Sequence, residues 1–196
     1  MYVVGFNGPP ECGKDTLAKL LADHMDKQGV SLPVKHESLS FPLREIAYKI
    51  VGWAGELDGP NYAEFKRTIF PIGGGITGRQ LMIDASEEFL KRCYSERVMA
   101  DMMLSRNIGF HGVLLVRDCG FQCEVSPIID DIGPHNFYLV NIMREDKDFV
   151  NDSREWVNHP DSKCQMQVNN NYSLDDLATE AGRIYGRLVN QMGWTL

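Results

Sequence analysis

A lysine, an aspartate and a threonine occupy positions 14, 15 and 16, at the end of a loop bounded by glycines. A short apolar stretch precedes this loop, and a helical pattern of apolar residues follows it. A loop of this kind brings backbone N–H groups up to phosphate oxygens, and the helix N-terminus adds a partial positive charge. We therefore expect a triphosphate to bind here, through Gly8, Glu11, Cys12, Gly13, Lys14, Asp15 and Thr16.

The chemistry expected of this loop is phosphoryl transfer. Lys14 places a positive charge on the outer phosphates, and Thr16 offers a hydroxyl group to Mg²⁺ or to phosphate. The strict pattern has Ser or Thr directly after the lysine, where this chain has Asp15. A carboxylate repels phosphates unless a metal or a substrate hydroxyl intervenes, so we expect Asp15 to act in catalysis, as a base if the acceptor is an alcohol. Gly-Lys-Asp-Thr resembles the loops of small-molecule and nucleotide kinases.

A carboxylate that follows a buried strand is the second expected part of the site. The apolar run 112–116 is typical of a buried parallel strand, and Asp118 comes two residues after it. Because ligands bind at the carboxyl ends of parallel strands, Asp118 is expected beside the loop. We predict that Thr16 and Asp118 hold Mg²⁺, directly or through water, and that Glu124 either orients the same site or begins a helix.

Four arginines are candidates for contacts with a phosphorylated substrate: Arg44, Arg79, Arg117 and Arg144. Arg44 and Arg79 each lie in the first turn of a predicted helix. A cation at a helix N-terminus is locally unfavourable, which suggests that an anion binds there. Arg144 opens the polar segment 144–163, which is expected to act as a lid over the transferred phosphoryl group.

The order of the elements indicates how these residues are positioned. Strands alternate with helices from end to end, which predicts an α/β protein in three layers, with a parallel sheet of about five strands and helices on both faces. We expect one P-loop domain over residues 1–196, with an acceptor-binding region at about 40–105. Within that region, residues 71–77 are predicted to form a flexible glycine joint, and residues 78–105 a long helix with Thr77 as its N-cap. Ser173 and Asp176 resemble a capping box, with Asp in place of Glu, that starts the last helix.

Composition excludes several classes of function. The formal net charge of −7 disfavours a nucleic-acid partner, since phosphate backbones need a basic surface. No apolar run approaches the ~18 residues that span a bilayer, and the chain enters the loop too early for a signal peptide. The scattered cysteines indicate reduced thiols and a cytoplasmic protein. Their spacing does not predict a zinc site among Cys119, Cys123, His159 and Cys164.

The order of motifs resembles the deoxynucleoside monophosphate kinases of bacteriophages. The phosphate loop is the most specific match. Four further stretches are similar to that family: Ser40-Phe41-Pro42-Leu43-Arg44-Glu45, Thr77-Gly78-Arg79-Gln80-Leu81, Val116-Arg117-Asp118 through Glu124, and Val168-Asn169 before Ser173-Leu174-Asp175-Asp176-Leu177. The family has an arginine two residues after the strand acid, where this chain has Gly120.

The resemblance implies transfer of a phosphoryl group from ATP, with Mg²⁺, to a deoxynucleoside monophosphate. It implies that Arg44 and Arg79 hold the acceptor phosphate, and that Lys14 and Arg144 stabilise the transferred group. It would let Phe41 or Phe70 stack on the acceptor base, with a place in the apolar core as the alternative for each. The resemblance also implies a homodimer formed through the long helix, in the host cytoplasm if the protein is viral.

The position of Arg117 in the sequence bears on its expected contact with the substrate. Arg117 stands next to Asp118, so strand alternation predicts that its side chain leaves on the opposite side, which puts its substrate contact in question.

Other small-molecule P-loop kinases, of the dephospho-coenzyme A or phosphomevalonate type, fit the same motifs. A nucleotide-binding protein without turnover is the third possibility.

Overall fold

Five parallel strands form the central sheet of the computed structural model, which describes residues 1–150 and 152–196. The strands of the chain are β1 (Tyr2–Asn7), β2 (Val34–Glu37), β3 (Ile69–Phe70), β4 (Ile76–Thr77), β5 (Val113–Val116), β6 (Phe137–Met143) and β7 (Gln165–Asn169). The sheet has the order β2-β5-β1-β6-β7, so β1 is central, while β3 and β4 form a separate antiparallel hairpin. The predicted parallel sheet is confirmed.

Helices cover both faces of this sheet. They are α1 (Lys14–Lys27), α2 (Phe41–Val51), α3 (Gly59–Arg67), α4 (Gly78–Asp84), α5 (Val98–Arg106), α6 (Gln122–Ile132) and α7 (Leu174–Asn190). Alternate residues of β1 point to opposite sides: Val4 and Phe6 pack with α1 and α7, while Val3 packs with α5 and α6. The three-layer α/β class is therefore confirmed. None of the helices described is long and apolar enough to cross a membrane.

The long helix predicted over 78–105 is wrong. It is divided into α4, a π-helical turn (Ala85–Lys91) and, after a break at 94–97, α5. The wider π turn changes the phase of the side chains, so that Lys91 is buried while Phe89 is 52% exposed. The apolar spacing read from the sequence did not detect this change of phase.

The glycine joint predicted at 71–77 is a tight turn that connects β3 with β4. Gly73, Gly74 and Gly75 all have φ between 60° and 105°, a region that residues with a side chain rarely adopt. The hairpin belongs to a third apolar cluster, which includes Tyr48 and Phe65 and is formed by α2, α3, α4 and the start of α5. This cluster lies within the predicted acceptor-binding region.

The segment between β6 and β7 contains the predicted lid. Apart from a 3-10 turn (Ser162–Cys164), its described residues form no helix or strand, and Asn151 lies outside the described residues. The side chain of Asn7 donates to the carbonyl of Glu155 at 2.9 Å and accepts from the N–H of Val157 at 3.2 Å. These bonds tie the second half of the segment to the end of β1.

Candidate active site

The loop between β1 and α1 has a shape that requires glycine at both ends. Gly8 and Gly13 have φ of 151° and 103°. A Cβ at Gly8 would lie 2.5 Å from the carbonyl oxygen of Ile142, and one at Gly13 would collide with the amide of Asn170. Asn170 also donates to the carbonyl of Cys12 at 2.8 Å, which fixes the loop against the end of β7.

Lys14 lies across the loop that precedes it. Its Nζ donates to the carbonyl oxygens of Gly8 and Pro9, each at 2.6 Å, and burial lowers its pKa. In the part of the chain that the structure describes, the N–H groups of Lys14, Asp15 and Thr16 have no hydrogen-bond partner. They are therefore available to an anion at the start of α1, together with the positive end of the helix dipole.

A cleft of about 390 Å³ opens beside this loop. Its walls include the loop residues Glu11 to Thr16 (except Cys12), Arg144 from the end of β6, and Tyr172 and Leu174 from the turn before α7. Tyr172 and Leu174 are 74% and 61% exposed. No sequence motif indicated Tyr172, because an aromatic residue in a turn has no characteristic spacing. Arg144 pairs with Asp146 at 3.3 Å.

Asp118 is bound by the turn that follows β2. Its carboxylate accepts hydrogen bonds from the hydroxyls of Ser38 and Ser40, both at 2.6 Å, and from the N–H groups of Leu39 and Ser40. Although burial opposes it, Arg44 and these donors hold the pKa of Asp118 below its ordinary value. The acid thus organises the turn before α2, a role that was not predicted. Its metal role stays a prediction.

Arg44 and Arg117 converge on one carboxylate, that of Asp58. Arg44 is only 6% exposed and pairs with Asp58 through Nη1, while Arg117 reaches the other oxygen at 3.2 Å. Arg117 also pairs with Asp15 of the phosphate loop at 3.3 Å. The expectation that strand alternation turns Arg117 away is wrong, because β5 ends at Val116 and the turn that follows no longer alternates. No sequence motif indicated Asp58.

Arg79 joins the start of α4 to the predicted lid. Thr77 caps this helix, as predicted, by accepting from the N–H of Gln80. Arg79 is about half exposed and donates to Asp152 at 3.0 Å. Arg154 donates to the same carboxylate at 2.8 and 2.7 Å, which holds the pKa of Asp152 well below its usual range.

Arg154 occupies the space that a side chain at position 120 would need. A Cβ on Gly120 would lie 2.6 Å from both Cγ and Cδ of Arg154, and the N–H of Glu155 donates to the Gly120 carbonyl at 3.0 Å. Burial is the main cause of the lowered pKa of Lys14, and the positive charge of Arg154 lowers it further. The guanidinium thus lies near the phosphate loop, and only the tertiary structure relates it to Gly120.

The two aromatic residues considered for contact with a base differ in their burial. Phe41, the first residue of α2, is half-buried, and the guanidinium of Arg106 lies 5.8 Å from its ring centre. Phe70 packs edge-on against Trp53 inside the third apolar cluster and is only 9% exposed. Phe70 is therefore a core residue, which is one of the two alternatives that the sequence left open for it.

Glu124 lies in the first turn of α6 and is buried beside Lys91 of the π turn. Nζ of Lys91 is 3.9 Å from Oε1 of Glu124 and 2.8 Å from the more exposed Glu87. Burial raises the pKa of Glu124 to about 8. The sequence left open whether Glu124 orients the site or begins a helix; it does begin α6, and it also links α6 to the π turn.

Comparison with known proteins finds similarity only among solved structures. No protein-family model matches the chain, and no curated protein matches it. The APS kinase CysC of Mycobacterium tuberculosis, solved with AMPPNP and APS, is 15% identical over 94% of this chain and 96% of that chain, with a TM-score of 0.46. The protein APE1195 is 13% identical over 96% of each chain, with a TM-score of 0.47. Similarity at this level does not indicate a substrate.

The chain has the architecture of a P-loop protein. The glycine loop joins the central strand β1 to α1, and the neighbouring strands β5 and β6 are parallel to β1. Because the carboxyl ends of parallel strands meet at one edge, this topology brings Lys14 and Asp118 to the same edge of the sheet.

Proposed function

We propose that this protein is a kinase that transfers the γ-phosphoryl group of ATP, with Mg²⁺, to a deoxynucleoside monophosphate. The observation that carries the proposal is a continuous set of charged contacts across the phosphate loop. Asp15 lines the 390 Å³ cleft and pairs with Arg117, and Arg117 shares Asp58 with Arg44. A site for a triphosphate thus adjoins a site for a second anion.

The cleft suits the nucleotide donor. Its loop side offers N–H groups to the phosphates. Among the described residues, the partners of Lys14 are loop oxygens and the Cys12 sulfur, which phosphate oxygens would replace. Its far side offers Tyr172 and Arg144, a ring and a planar cation suited to stacking against a base.

The arginines suit an acceptor that is already an anion. An oxygen of the acceptor phosphate attacks the γ-phosphorus, the bond from that phosphorus to the β-γ bridging oxygen breaks, and ADP leaves. Such an acceptor needs no strong base, so positive charge is what the protein must supply. We infer that Arg44 and Arg117 bind the acceptor phosphate, that Arg79 binds it from the start of α4, and that Phe41 contacts the base.

The residues near the loop fit a hard cation. Thr16 and Asp15 both line the cleft and offer oxygen atoms, which Mg²⁺ prefers. Both oxygens of Asp118 already accept hydrogen bonds, so we expect Asp118 to act through water. The ion would neutralise charge on the β- and γ-phosphates.

The proposal that the acceptor is a nucleotide rests on the resemblance of the phosphate loop and the Ser40–Glu45 stretch to phage deoxynucleoside monophosphate kinases. A coupled ADP-release assay tests it with the four deoxynucleoside monophosphates, their ribonucleotides, dephospho-coenzyme A and phosphomevalonate. We expect turnover with at least one deoxynucleotide. Turnover only with a non-nucleotide would assign another P-loop kinase, and ATP binding without any turnover would assign a binding protein.

Lys14→Ala tests the phosphate loop itself. Removal of the cation should lower kcat at least about 100-fold, because it stabilises charge that develops on the transferred group, while the urea midpoint stays unchanged. Lys19→Ala, an exposed lysine on the same helix, is the matched control and should keep full activity. Full turnover in Lys14→Ala would overturn the role of the loop.

A further inference from the structure

Three side chains that metals bind lie together at the edge of the sheet opposite the cleft. His135 belongs to a 3-10 turn (Pro134–Asn136) before β6, and Asp161 and Cys164 belong to the turn before β7. Their ligand atoms all lie within 4.8 Å of one another. Sγ of Cys164 is 4.0 Å from Nδ1 of His135. Because β6 and β7 are parallel, both turns lie at their amino ends, away from the phosphate loop.

Backbone contacts fix both turns independently of any ion. The indole N–H of Trp194 donates to the carbonyl of His135 at 2.7 Å. On the other turn, the N–H of Cys164 donates to the carbonyl of Asp161 at 2.9 Å, and the N–H of Asp161 donates to Nδ1 of His159 at 3.0 Å. The ligand atoms are thus brought together by the fold.

The set of donor atoms selects the metal. Imidazole nitrogen, thiolate sulfur and carboxylate oxygen together suit Zn²⁺ or Co²⁺, whereas Mg²⁺ and Ca²⁺ take oxygen ligands. A tetrahedral ion with bonds of about 2.0–2.3 Å holds its ligand atoms roughly 3.3–3.7 Å apart. The three ligand atoms therefore need to approach one another by up to about 1.5 Å. His135 is exposed on its turn.

We propose that His135, Asp161 and Cys164 bind one Zn²⁺ ion, with water as the fourth ligand. The ion replaces the thiol proton of Cys164, and the proton is released to solvent. Binding joins the turn before β6 to the turn before β7, and so secures the end of the predicted lid where it re-enters the sheet. This site does not depend on the proposed kinase activity.

Titration of the full chain with Co²⁺, in the absence of nucleotide, tests the site. Thiolate coordination gives a charge-transfer band in the near ultraviolet, and tetrahedral geometry gives strong visible bands. We expect one Co²⁺ per chain, displaced by equimolar Zn²⁺. Cys164→Ser should abolish the ultraviolet band, and Asp161→Asn should weaken Co²⁺ binding about tenfold or more.

His135→Ala keeps the experiment decisive if the buried Cys164 variant fails to fold. It should weaken Co²⁺ binding at least about tenfold and abolish the rise in Tm that Zn²⁺ gives the unaltered protein. Cys93→Ser, an exposed cysteine elsewhere, is the control and should leave the spectrum unchanged. Absence of the ultraviolet band in the unaltered protein, or its loss in Cys93→Ser, would overturn the site and leave a thiol–imidazole hydrogen bond.

Discussion

Asp58 illustrates how a single side chain alters the expected chemistry of its neighbours. The sequence assigned Arg44 and Arg117 to a substrate anion, yet in the structure both guanidinium groups pair with this carboxylate. Asp58 is about half exposed, so a substrate anion can replace it at the cost of a partly solvated ion pair. We therefore expect Asp58 to compete with the acceptor phosphate for these two arginines.

Asp58→Asn tests this competition. The amide keeps the shape but removes the negative charge, so the KM for the acceptor should fall about three- to tenfold, with kcat within about twofold. Steady-state kinetics measure both constants. Glu56→Gln, an exposed acid in the same loop, is the control. Weaker acceptor binding in Asp58→Asn would mean that the carboxylate is needed to position the arginines.

Arg154 is a second residue whose chemical surroundings are set by the fold. Its stem lies over Gly120, and its charge acts on Lys14. We propose that this cation stabilises the transferred group, so Arg154→Ala should lower kcat about 10- to 1,000-fold with a small effect on the KM for ATP. Arg154→Lys should recover part of the rate. Equal rates in Arg154→Ala and in the surface control Arg183→Ala would exclude this role.

At the scale of elements, the last helix carries one wall of the cleft. Ser173 accepts from the N–H of Asp176, whose carboxylate accepts in return from the N–H of Ser173. This capping box, predicted from the sequence with Asp in place of Glu, fixes where α7 begins. The turn that holds Tyr172 is thereby positioned next to the phosphate loop.

Ser173→Ala should lower the free energy of unfolding by about 1 kcal/mol, because it leaves an N–H at the start of the helix without its partner. Urea denaturation without nucleotide measures the loss. Ser105→Ala is the matched control, since this exposed serine lies inside α5 and its hydroxyl makes no hydrogen bond within the described residues. A loss of similar size in both variants would argue against the cap.

At the scale of the whole molecule, the buried pair Lys91–Glu124 joins the π turn to α6, which packs against the sheet. Burial raises the pKa of Glu124 from 4.5 to about 8. Between those values the folded state binds a proton that the unfolded state releases. The free energy of unfolding should therefore fall as pH rises from about 4.5 to 8, by at most about 1.4 kcal/mol per pH unit from this group.

Glu124→Gln removes that dependence. Urea denaturation at pH 5, 6, 7 and 8 should show the variant gaining stability over the unaltered protein as pH increases. Glu64→Gln, which removes an exposed carboxylate on α3, should show no such trend. A difference between Glu124→Gln and the unaltered protein that stays constant with pH would contradict the raised pKa.

The homodimer, which the resemblance implied through the long helix, stays a prediction.

The sequence by itself determined the parallel α/β architecture and the phosphate loop, because both depend on local features. Apolar periodicity defines strands and helices, and a Gly8-to-Gly13 loop before Lys14 has few other uses. The start of α7 and the cap of α4 at Thr77 were predicted for the same reason. Local spacing did not identify the π turn, because one extra residue in a turn shifts the phase without changing the composition.

Only the tertiary structure decided which charges meet. Arg117 faces Asp15 and Asp58, Asp118 binds the turn before α2, and Arg154 fills the space over Gly120. Each pairing joins residues that are distant in sequence, so no spacing rule encodes it. The phosphate loop could therefore be recognised from its own residues, whereas the charged side chains around it depend on how separate segments pack.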